Sequence, residues 1–121
     1  MPPSGYSQGQ ADSIRNFLIS CAEALHTEAN QNGETLMRAL DRELSDIIFY
    51  SESKKIVETQ FATLQLTLLF YQKIKDQTPK NSDEFWRAVE RTTTSMCSEI
   101  LAVKIPQRVD RLAREFDASV S

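Results

Sequence analysis

Apolar side chains recur along this chain every three or four residues, the pitch of one face of an α-helix. Ile14, Phe17, Leu18, Cys21, Leu25 and Ala29 form the first stripe. It predicts a helix that starts near Asp12 or Ser13, either of which can cap it. The stretch Asn30-Gln31-Asn32-Gly33 ends that helix, with Gly33 or Asn32 suited to the left-handed closing residue. A second stripe, Leu36, Leu40, Leu44, Ile47 and Ile48 with Met37 beside it, predicts a helix from about Glu34. Ser51-Glu52-Ser53 is a weak break after it, because these residues are tolerated within helices. Helices two and three could therefore be one rod.

The third stripe runs from about Lys54 to Asp76 through Val57, Phe61, Leu64, Leu68 and Tyr71, widened by Ile56, Phe70 and Ile74. Leu66 and Leu69 fall on its far side, so the segment from Leu64 to Tyr71 is apolar almost all round. Such a helix is normally central and buried on several sides. The alternative is that Leu66, Leu69 and Phe70 offer a patch to a partner chain. Thr78-Pro79-Lys80-Asn81-Ser82 is the clearest loop. Asn81 can cap the next helix, and Glu84 can complete a capping box. Helix four is expected from Asp83 to about Lys104, with Phe85, Val89, Thr93, Met96, Ile100 and Val103 inward and Trp86 and Cys97 at the margin. Pro106 should kink or end it and open a short fifth helix carrying Val109, Leu112, Ala113 and Phe116.

No segment alternates apolar and polar residues in the manner of a strand, and no internal repeat is visible. The fold class is all-α: an up-and-down bundle of four main helices with a short C-terminal helix after Pro106. Residues 1–10, rich in Pro, Gly, Ser and Gln, read as a flexible tail. Residues 11–118 read as a single domain, of ordinary size for one core.

Charge changes this picture by its distribution. The net charge is −3, so the chain as a whole is not a basic nucleic-acid-binding protein. Residues 1–52 hold 3 basic and 8 acidic side chains, whereas residues 53–121 hold 11 and 9. The molecule should be polarised, with its basic side in the C-terminal half. There Arg87, Arg91, Thr94, Ser95 and Ser98 share one face of helix four, and Lys104, Arg108 and Arg111 continue at spacings of four and three. Residues 85–114 carry 6 basic and 3 acidic side chains. Arginine forks beside hydroxyls suit phosphate oxygens, and such contacts position a backbone without reading its sequence. An acidic protein surface would be served equally well. So would no ligand at all, if Arg87 simply pairs with Glu90 in a solvated face.

The inventory for catalysis is poor. His26 is the only histidine, and Glu23 and His26 have the Glu-x-x-His spacing of bundle metal sites but lack the second pair those sites need. Cys21 and Cys97 have no neighbouring histidine or second cysteine and read as small apolar fillers. No catalytic residue, cofactor or metal is expected. The first residues lack the charged and apolar regions of a signal peptide, and no apolar run is long enough for a bilayer. A cytoplasmic location away from membranes is the expectation. The resulting functional expectation is a non-catalytic helical binding or assembly subunit, or adaptor, in a larger complex, with a protein partner or self-association. The alternative is a small subunit of a nucleoprotein complex that touches an RNA or DNA backbone through its Arg/Ser/Thr face.

Overall fold

A computed structural model describes the backbone of residues 7–53 and 58–101 and the side chains of residues 7–51 and 63–99. It is an all-α bundle of four helices: α1 (Gln8–Asn32), α2 (Leu36–Ser53), α3 (Glu58–Asp76) and α4 (Ser82–Leu101). The helix expected after Pro106 lies outside the described residues, as do Lys104, Arg108 and Arg111. The continuity of α2 with α3 lies outside them too.

Helix α1 begins four residues before the earlier of its two expected caps. The Gln10 N–H donates to the Ser7 hydroxyl at 3.1 Å, and the Ser7 N–H donates to Gln10 Oε1 at 2.9 Å. This reciprocal pair satisfies two backbone donors that would otherwise face water at the helix start. Residues 8–10, read from composition as part of a tail, therefore form the first turn. The far end closes as expected on Gly33, at φ 67°. The Glu34 N–H reaches the Ala29 carbonyl at 2.9 Å and the Gly33 N–H the Asn30 carbonyl at 3.4 Å, the two bonds of a Schellman closure. Thr35 caps α2 by accepting the Arg38 N–H at 3.1 Å.

Two residues beyond the end of α3, Thr78 is held at φ 48° ahead of the buried Pro79. A β-branched residue in the left-handed region costs about 1–2 kcal/mol. Here it lets the Thr78 N–H reach the Lys75 carbonyl at 2.9 Å while the chain turns toward α4. Asn81 caps α4 by accepting the Glu84 N–H at 2.9 Å. The return contact differs from a standard capping box, because the Glu84 carboxylate takes the Lys80 N–H and the Asn81 side-chain amide.

Each helix packs against its neighbours in chain order, and α1 also closes the ring against α4. Alanines at 11, 22 and 29 bring the α1 backbone close to its neighbours, and Leu18, Leu40, Phe70, Ile74, Phe85 and Met96 fill the centre. Thr93 is fully buried and donates its hydroxyl to the Val89 carbonyl at 2.8 Å, which removes the cost of an unpaired polar group.

Two apolar assignments need correction. Phe70 is 0% exposed and Leu66 9%, while Leu69 is half-buried, so α3 presents no outward patch built on these three. α2 and α4 flank α3, and α1 approaches it across the bundle; together they bury the side that a helical wheel leaves facing away. Conversely, Phe17 and Ile48, counted as stripe residues, are 41% and 46% exposed. The inward line of α1 is centred one residue further on, along Leu18, Ala22, Leu25 and Ala29.

Candidate functional site

The outer face of α4 keeps the composition its sequence promised. Arg87, Arg91, Thr94, Ser95 and Ser98 are all exposed, since the opposite face holds Phe85, Val89 and Met96 in the core. Among the described residues neither arginine makes an ion pair, and the pairing of Arg87 with Glu90 that the sequence left open as an alternative is not formed. Glu84, one turn before, is occupied by the helix cap. Ser95 donates to the Glu99 carboxylate at 3.4 Å.

What the sequence did not reveal is a second wall. The end of α3 lies beside α4 and forms with it an open groove of about 350 Å³, lined by Lys73, Asp76, Gln77, Arg91, Thr92 and Ser95. Gln77 pins the two walls together: its side-chain amide donates to the Thr92 hydroxyl at 2.8 Å and to the Lys73 carbonyl at 3.1 Å. Asp76 accepts from Gln72 at 3.1 Å, and the Lys73 ammonium sits 3.8 Å from Glu99. Lys73 escaped sequence reasoning because only the packing of α3 on α4 brings it to Arg91.

The acidic half of the chain is gathered elsewhere. Arg42 lies within ion-pairing distance of Glu28 (3.6 Å), Glu34 (3.4 Å), Glu43 (3.0 Å) and Asp46 (3.9 Å), joining α1, the first loop and α2. Lys75 holds Asp41. Helix α2, which carries most of these carboxylates, packs chiefly against α1 and α3.

A different surface lies toward the end of α2. Three consecutive large side chains are exposed there, Ile48 (46%), Phe49 (71%) and Tyr50 (44%). They follow the inward Ile47 and precede the buried Ser51, so they occupy the sides of α2 turned away from the core.

His26, Cys21 and Cys97 make contacts within the bundle. His26 accepts or donates a hydrogen bond at 2.9 Å with the Ser82 hydroxyl, and its ring rests against Phe85 and Trp86 at centroid distances of 5.8 and 5.4 Å. It clasps α1 to the start of α4. Among the described residues no group of three His, Cys, Asp or Glu side chains is placed to hold a metal ion. Burial pushes the Cys21 thiol above its ordinary range, partly opposed by hydrogen bonds with Tyr71 and Thr67, and burial also raises Cys97. The Cys97 thiol donates to the Ala11 carbonyl at 3.5 Å, ten residues along α1 from Cys21 and thus about 15 Å away by helical rise, too far for a disulfide. Among the described residues no helix is long and apolar enough to cross a membrane.

No family model matches this chain, and no curated protein or solved structure matches it either.

Proposed function

We propose that this protein is a helical binding and assembly module, a subunit or adaptor that holds a protein partner or a second copy of itself. The observation that carries the reading is the exposed row Ile48, Phe49 and Tyr50 on α2. Single exposed apolar residues are ordinary on a soluble surface, whereas several large ones exposed on one stretch of helix favour a contact site. Burying them removes apolar area from water at about 25 cal/mol per Å². The site is therefore moved from α3, where Leu66 and Phe70 are core, to the end of α2.

Size-exclusion chromatography with light scattering tests this directly. The wild-type chain should run as a dimer or larger species, or hold a stoichiometric partner through the column. Ile48→Asp combined with Tyr50→Asp should release a folded monomer. A wild-type monomer that retains no partner removes the reading.

A second reading is favoured by the two arginines on α4 that are exposed and without ion pairs among the described residues. It makes the module a nucleoprotein subunit that contacts nucleic-acid backbone without reading bases. This reading uses a different face and does not depend on the first.

A further inference from the structure

We infer that the seam between α1 and α2 is the seat for residues 104–116 of a second copy of this chain, with Phe17 and Tyr50 as its apolar floor and Glu28 and Asp46 as its acidic wall. The inference rests on the first reading above and deepens it by adding the α1 side and naming the segment that docks.

Phe17 and Tyr50 belong to one surface. Glu28 and Phe17 stand three turns apart on α1, and Asp46 and Tyr50 one turn apart on α2, so each pair shares a side of its helix. Arg42 reaches Glu28 at 3.6 Å and Asp46 at 3.9 Å, which sets both sides along the α1–α2 seam. Below the bridge from Arg42 to Glu28, Phe17 lies about 16 Å down α1 and Tyr50 about 12 Å along α2, within one turn of the same height. Phe17 is 41% exposed and Tyr50 44%.

The seam above them is acidic. Glu28, Glu34, Glu43 and Asp46 stand against Arg42, and with Arg38 counted at the upper end two negative charges remain unbalanced. The Glu28 and Asp46 side chains are 49% and 67% exposed. Arg15, the remaining arginine of the two helices, lies near Cys97 on the α4 side. An occupant must therefore bring apolar side chains and positive charge together. Residues 104–116, outside the described ones, do so in sequence. Val109, Leu112 and Phe116 recur at helical spacing, and four basic against two acidic side chains give a net charge of +2.

The position of the α4 end favours exchange between copies. α4 ends at Leu101, next to the start of α1, where the Cys97 thiol meets the Ala11 carbonyl. From there Asp46 is about 25 Å higher along the bundle and on the far side of α1. Residues 102–108 span at most about 25 Å fully extended, so the climb alone would exhaust them before Arg108 passed round α1. A neighbouring copy presents its seam without that detour, and a reciprocal pair buries both seams.

The test is light scattering after size exclusion on forms of the full chain. The wild type should have twice the mass of one chain. Phe17→Asp with Tyr50→Asp, and separately Leu112→Asp with Phe116→Asp, should each run as a monomer that keeps a cooperative melting transition. Mixed in equal amounts at about ten times the concentration, the two variants should pair again, because one intact seam and one intact segment remain between them. Arg108→Glu with Arg111→Glu should raise the dissociation constant of the wild-type pair by at least about tenfold, and an unchanged constant overturns the inference. A wild-type monomer also overturns it, and the first reading falls as well when no partner is retained. If the seam variant is monomeric while the Leu112 and Phe116 variant still pairs, the first reading stands and the docking segment is wrong. If the mixture stays monomeric, the segment is held by its own chain and the exchange is overturned.

Discussion

Cys21 and Cys97 show how a residue's chemistry is decided by what surrounds it. Spacing alone read both as fillers, and burial raises both thiols above their ordinary range, which works against the thiolate form. Tyr71, whose hydroxyl reaches the Cys21 carbonyl at 3.4 Å, is also raised, chiefly by burial and then by the nearby Cys21. A raised acid stays protonated in the fold while the same group ionises in the unfolded chain. The stability it contributes is complete below the unfolded thiol value of about 8.5 and drains away as pH climbs beyond it. Melting temperature should therefore hold steady up to about pH 8 and decline above it. Cys21→Ala with Cys97→Ala should flatten the thiol part of that decline, whatever it does to the absolute melting temperature. An equally steep decline in the double variant would show that the thiols are not its source. The identity of each cysteine was legible in the sequence; its partner, Tyr71 or the Ala11 carbonyl, was not, because those contacts span 50 and 86 positions of chain.

At the scale of the element, the strongest helix signals were local ones. Gly33 and the Asn81 cap lay where turn and capping chemistry placed them, because both act through bonds that span only a few residues. Asn81→Ala should remove the acceptor of the Glu84 N–H and a donor to the Glu84 carboxylate, costing about 1 kcal/mol. Urea unfolding should register this as a lower midpoint with an unchanged slope. The start of α1 was missed because Ser7 and Gln10 sit in a polar stretch with no apolar stripe of its own. Ala11, buried against α4 beside Cys97, is what makes that extra turn worth forming. Helix α3 shows the opposite limit. Its all-round apolarity suggested a central helix, whereas α3 is one of four in a ring, and no wheel could decide whether Leu66 and Phe70 met neighbours of the same chain or of another.

At the scale of the whole molecule, charge separation is organised around one side chain. Arg42 draws four carboxylates from α1, the first loop and α2 into a network at one seam. Its side chain is about one-third exposed, so solvent screens part of that attraction. Arg42→Ala should leave the carboxylates facing one another and cost about 1–2 kcal/mol at low ionic strength. Denaturation at low and at about 1 M salt should show the loss shrinking as repulsion is screened. A salt-independent loss would point to packing of the arginine stem instead. Unequal charge in the two halves was visible as a count. Its concentration on Arg42, away from the Arg87 and Arg91 face, required the fold.

The chain's own order of residues determined that helices form, which side of α4 is polar and how two of the helix ends close, because these depend on neighbours within a few positions. Packing decided the rest. It turned Leu66 and Phe70 inward, left Ile48, Phe49 and Tyr50 to solvent, and set Lys73 opposite Arg91. Each of those outcomes depends on how helices lie against one another, which a periodic stripe does not specify.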